Sequence, residues 1–150
     1  MEPVHITIKN IDSVMTAFKM FPVKMTEEIN TAINKTIIKL ESNIKKEAPV
    51  NKQKGGGNLR QSVKGSMTGI ASGMVEVWAN YGSAVETGTK PHIIRAINKK
   101  VLANKRLGQI FGKVVHHPGT KANPFFTRGI DNSRNDIDQY FIRAVQNSLK

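Results

Sequence analysis

Cysteine is absent from this chain of 150 residues, which excludes disulfides and thiolate metal sites. No apolar run approaches the roughly 18 residues of a membrane span. The opening stretch, MEPVHITIKNIDS, has no basic region followed by an apolar one. The sequence therefore predicts a soluble protein made in the cytoplasm, without signal peptide or membrane segment. Aromatic residues are few, with one Trp and two Tyr. Trp78 and Tyr81 lie close together, but Phe111, Phe125 and Phe126 are the only aromatics in the basic stretch that follows. That is too few for the interleaved stacking platform of a single-strand binder, and these phenylalanines read as core or interface.

Acidic residues are scarce in one region: between residues 48 and 130 only Glu76 and Glu86 occur. A general acid–base pair needs two groups within reach of each other, and no motif brings these two together. No Gly-x-Ser-x-Gly turn, His-Glu-x-x-His helix or Gly-Lys-Ser/Thr phosphate loop is present. His92, His116 and His117, with Glu86, are the one set of metal-ligand types. Adjacent histidines in an extended segment point to opposite sides, so His116 and His117 do not share an ion readily. Such histidines bond loop backbone more often. The sequence predicts a non-enzymatic protein with no cofactor and no metal.

The formal net charge is +12. Residues 87–130 hold nine bases (Lys90, Arg95, Lys99, Lys100, Lys105, Arg106, Lys113, Lys121 and Arg128) and no acid. Such a stretch fits a polyanion nearby, since Lys and Arg displace counterions from phosphates. A solvated basic face is the other reading. No zinc finger or basic zipper appears, and the helices carry mixed charge, which argues against base-specific reading.

VHITIK, residues 4–9, alternates as a short strand. NIDSVMTAFKMFP reads as a short helix ending before Pro22. Met25, Ile29, Ile33, Ile37, Leu40 and Ile44 recur at helical spacing and predict a helix over 24–47. Thr26, Glu27 and Glu28 suit its start, Lys45 and Lys46 its end, and Pro49 stops it. NKQKGGGN, residues 51–58, reads as a flexible basic loop. LRQSVKGSM and GMVEVWAN predict a hairpin turning over Gly69–Gly73, with one bulge or two-sided burial. One helical turn fits Ser83–Glu86 inside a turn region, YGSAVETGTKPH. KVLAN and QIFGKVV predict a second hairpin. Residues 124–149 predict a helix with Pro124 in its first turn and Ile137, Phe141, Ala144, Val145 and Ser148 on one face. The expected fold is α+β in one domain: a small, mostly antiparallel sheet packed against a long N-terminal helix and a C-terminal helix.

Three segments occur in order: APV…GNLRQSV, YGSAVETGTKPHII and HPGTKANPFFTRGI. The chain resembles the neck or tail-completion (minor head–tail joining) proteins of long-tailed bacteriophages. The resemblance runs from about Ile29 to Ile130. It rests on Ala48, Pro49, Leu59, Arg60 and Ser62; on Tyr81, Val85, Glu86, Gly88 and Thr89; and on His117, Pro118, Gly119, Thr120, Pro124 and Phe125. The chain departs from the pattern where NKQKGG replaces a tight Asp-Thr-Gly turn, and at Thr87, where the family commonly has an aromatic.

The resemblance implies a virion structural protein at the head–tail junction, assembled in the host cytoplasm. It would form a six- or twelve-fold ring between a head-closure or connector protein and a tail terminator or tube protein. Double-stranded DNA would pass through the ring without sequence choice. A tail terminator is the alternative within the same class, and a free basic nucleic-acid-binding module lies outside it. Ring contacts are expected on Arg60, Glu86, Gly88, Thr89, His92, His117, Pro118, Gly119, Thr120, Pro124 and Phe125. A channel or acidic-partner face is expected on Lys99, Lys100, Lys105, Arg106 and Lys113. Glu86 is expected to pair with Arg60, with a neighbour's Lys, or within its own subunit.

Overall fold

The computed structural model describes residues 11–51, 56–97, 101–104 and 108–150. The strand expected over 4–9, residues 52–55 of the basic loop, and the bases Lys99, Lys100, Lys105 and Arg106 lie outside these residues.

One helix dominates. α1 runs unbroken from Ile11 to Glu47, 37 residues or about 55 Å. The expected break at Pro22 is absent. Pro22 removes one backbone donor, but about seven helical turns follow it and carry that loss. The Thr26 hydroxyl donates to the Pro22 carbonyl at 2.8 Å, so Thr26 lies inside the helix and does not start it. The apolar stripe of α1 forms the floor of the core, with Ala32, Ile37 and Ile44 buried. Lys45 and Lys46 occupy its last turn, as expected.

LRQS folds differently from the expectation. Asn58–Ser62 is a short helix, α2, entered through Gly57 at φ 99°. Leu59 and Val63 are four residues apart, so one helical turn puts both into the core. β1 (Val63–Gly69) then pairs with β2 (Ser72–Val77) in the expected antiparallel hairpin. Its bulge falls between Met67 and Gly69, and Ala71 takes the left-handed turn position at φ 52°. A Cβ on Gly73 would sit 2.2 Å from Ile37 Cδ1, so a larger residue there would have to displace the end of the Ile37 side chain.

α3 (Gly82–Thr87) is the expected single turn. β3 (His92–Arg95), which starts at the last residue of the expected turn and was not expected as a strand, pairs antiparallel with β6 (Val114–His117). β4 (Leu102–Asn104) pairs with β5 (Gln109–Gly112) as the expected second hairpin. QIFGKVV is thus two strands serving two partners. Among the described residues the strands form three separate antiparallel pairs and not one sheet.

The C-terminal helix is split. α4 (Phe125–Asp131) and α5 (Arg134–Ser148) meet at Asn132–Ser133. The break is held by the fully buried Ser133, which donates to Gly129 O and accepts from Asn43 Nδ2 at 2.9 Å. Ala144 and Ser148 face inward, while Phe141 and Val145 stay exposed. Ile44, Ala48, Leu59, Val63 and Phe125 form the centre, flanked by Leu40, Val75, Val77, Ala79, Val85 and Phe126. The fold is α+β, with a long N-terminal helix, antiparallel pairs and a C-terminal helix.

Candidate assembly surface

Two of the three motif segments are one structural unit. Asn123 N donates to Val85 O at 2.8 Å, and Thr89 and Thr120 exchange both backbone hydrogen bonds at 3.0 and 3.1 Å. β3 and β6 carry the pairing on through His92–His117 to Arg95–Val114, and Ala96 N bonds Lys113 O at 2.9 Å. The result is a two-stranded ribbon rising from α3 and α4.

Gly88 and Gly119 make the base of the ribbon possible. Both have positive φ, 75° and 88°. A Cβ on Gly88 would lie 2.6 Å from Thr120 O, and one on Gly119 would lie 2.2 Å from Thr89 O. Each glycine of a Gly-Thr pair therefore presses on the opposite pair. The threonine hydroxyls meet at 3.0 Å across the strands.

Glu86 anchors the unit from below. The N-cap residue of α4 is Pro124, which has no side-chain acceptor, so the first backbone donors of that helix need another partner. Glu86 supplies it. Oε2 accepts from Phe126 N at 2.8 Å, and Oε1 accepts from Thr127 N at 3.1 Å and Thr127 Oγ1 at 2.7 Å. Burial works against the charge. The bonds from Thr127 and Phe126, with the Arg128 cation, outweigh it and hold the carboxyl below the ordinary carboxylate range.

Of the three expected partners of Glu86, the one found is intrachain. Arg60 reaches the Ala48 carbonyl instead, through Nη2 at 3.4 Å. Arg128 completes the anchor by pairing with Glu47 Oε2 at 2.8 Å and donating to Asn123 Oδ1 at 2.7 Å. Phe125 is buried in the core and serves the fold, not a free surface.

The histidines bond loop backbone. His92 and His117 stack at 5.0 Å, 28° from parallel. His117 Nδ1 accepts from Gly119 N at 3.0 Å, and His92 Nδ1, protonated, donates to Lys90 O at 2.9 Å. His116 is exposed opposite Ile93. Among the described residues no group of three or more His, Asp or Glu is placed to hold a metal ion.

The rest of the ribbon is open. Lys90, Arg95, Lys113, Pro118, Thr120 and Lys121 are exposed. Ile93, Ile94, Phe111 and Val114 are exposed too, and Ile97 and Ile110 stand 92% and 74% in solvent. β3 packs broadly on β6 and β4 on β5, and no helix packs broadly on them among the described residues. Lys113 is the one residue of the expected basic face that the structure describes, and it lies at the pair that closes the ribbon. Sequence reasoning did not find Asn123, Thr127, Ile97 or Ile110. Thr127 carries no motif signal, but an apolar Ile97 amid bases is a legible anomaly.

Comparison with family models, with curated proteins and with solved structures finds no match to this chain.

Proposed function

We propose that the chain is a virion structural protein of the bacteriophage head–tail interface, a neck or tail-completion subunit that assembles into a ring around the DNA channel. The observation that supports this best is the union of the Tyr81–Thr89 and His117–Phe125 motifs. Residues that the resemblance draws from two distant segments are here partners in one ribbon base, through Thr89–Thr120 and the Glu86 anchor on α4. The ribbon held there presents bare isoleucines beside bases. A ring needs a surface of one subunit that meets a different surface on the next, and large exposed apolar residues mark such contacts. Positive charge without base-reading elements suits a wall that DNA slides past. In this reading no residue does chemistry and no metal or cofactor is required.

The test is imaging of virions or purified necks, with this chain assigned to density. A closed ring between connector and tail is the expected result. A ring capping the tube end makes the chain a tail terminator. Absence from the particle overturns the proposal, and a free basic nucleic-acid-binding module replaces it. Such a module would show tight DNA binding by the monomer that weakens steeply with salt.

A further inference from the structure

A slot runs between β2 and α4. α1 forms its floor through Ile33, Thr36, Ile37 and Leu40. Residues Ala71–Val75 form one wall, and Phe126 and Ile130 the other, around a volume of about 450 Å³. The far wall is apolar, and so is the floor apart from Thr36; the near wall is a strand edge.

Two observations mark the slot as a strand site. The first is that edge. The Gly65 N–H turns away from β2 and donates to Glu41 Oε2 at 2.9 Å, so Gly65–Val75 is a pair that does not exchange backbone bonds. Antiparallel pairing alternates, so the N–H and C=O groups of Gly73 and Val75 face away from β1, along the slot. Among the described residues no hydrogen bond to them is made. The second is Thr36, whose hydroxyl is buried on the floor without a hydrogen-bond partner. A buried polar group of this kind needs a partner, and a peptide backbone offers donors and acceptors alike. An unpaired strand edge beside an apolar trough is the arrangement that strand addition uses.

We propose that residues 4–9 of a second copy of this chain, Val-His-Ile-Thr-Ile-Lys, fill the slot as a third strand beside β2. Val4, Ile6 and Ile8 alternate with polar residues, as a strand with one face on the α1 floor requires. The chain's own segment does not reach. Ala71 N bonds Asn30 Oδ1 at 2.6 Å, so the near end of the slot lies level with Asn30. Ile11 lies about 28 Å back along the helix from there. Lys9 is two residues from Ile11 and spans about 7 Å, and even Val4 spans only about 24 Å when fully extended. α5 meets α1 at Met25 and Glu28, and the turns from Lys24 back to Ile11 run about 20 Å beyond. Among the described residues that end of α1 is free of α5, and a strand for the slot must then come from another copy. Tip into slot is a head-to-tail contact, the kind that closes rings; for closure the inference rests on the ring reading above.

The chain has no cysteine, so introduced pairs report without background. Met74 is exposed on the face of β2 that turns away from α1. Met74→Cys is combined in turn with cysteine at each position from 4 to 9 in the full chain, and the products are oxidised and run unreduced. The expected result alternates: covalent dimers and higher species from one or more of positions 5, 7 and 9, and at least about tenfold less from 4, 6 and 8. The double variant Ile6→Asp, Ile8→Asp should scatter light as a monomer and keep the wild-type melting curve. Intramolecular cross-links, or none at any position, overturn the strand proposal. They leave the ring reading to the particle images, which decide it separately.

Discussion

Glu86 stands in for the side-chain cap that Pro124 lacks, from 40 residues upstream in the chain. Its carboxyl is held lower in the folded chain than in the unfolded one, so on acidification the unfolded chain takes up this proton first. The contribution to stability is complete above the unfolded value of about 4.3 and is lost as pH falls through the lower folded value. Glu86→Gln should cost about 1 kcal/mol at pH 7, and the difference from wild type should shrink as pH falls below the ordinary carboxylate range in urea titrations. Gly119→Ala places a methyl group against Thr89 O at positive φ. It should lower stability by at least about 2 kcal/mol, read as a shift in urea midpoint at constant slope. The residues of this site were legible in the sequence, but their roles were not. Gly88, Gly119 and Glu86 stand out as motif positions, whereas the groups they touch lie about 30 to 40 residues away, and local pattern carries no such distance.

Among the elements, those built on local periodicity were the readable ones. The stripe from Met25 to Ile44 predicts the packed part of α1, and Gly69–Gly73 predicts the first hairpin. The misreadings came where local signals competed. Pro22 reads as a stop, yet the turns on either side outlast one lost donor. Leu59 and Val63 fit the core through a helical turn, although their neighbours resemble a strand. β3 and β6 are four residues each, without clear alternation, and exist because they pair with each other. The ribbon they begin contributes no residue to the core cluster. Replacing residues 97–112 by an Asn-Gly turn should therefore leave the melting midpoint within about 5 °C of wild type. The same variant should fail to assemble. A much larger fall in the midpoint would show that the ribbon supports the fold.

At the scale of the molecule, charge and fold class were legible, and the pairing of β3 with β6 was not. The +12 charge and the α+β class follow from composition and element order. An exposed apolar surface shows in sequence only as apolar residues in polar company, such as Ile97 beside lysines. The topology has a consequence for synthesis. α1 is made first, yet its polar and sulfur contacts at Glu28 and Met25 come from Asn147 and Ser148, at the end of the described chain. At about 5–20 residues per second, roughly 6 to 25 seconds separate the translation of these partners. During that interval the Met25–Glu28 part of α1 leaves the ribosome without its α5 partner, while the Ile37–Ile44 part can already meet the first hairpin. Ribosome-bound chains halted before residue 125 should be cut readily by protease within α1 and be held by chaperones, and released full-length chains should not. The seam between α1 and α5 therefore joins segments about 120 residues apart, and it cannot form before Asn147 and Ser148 are made.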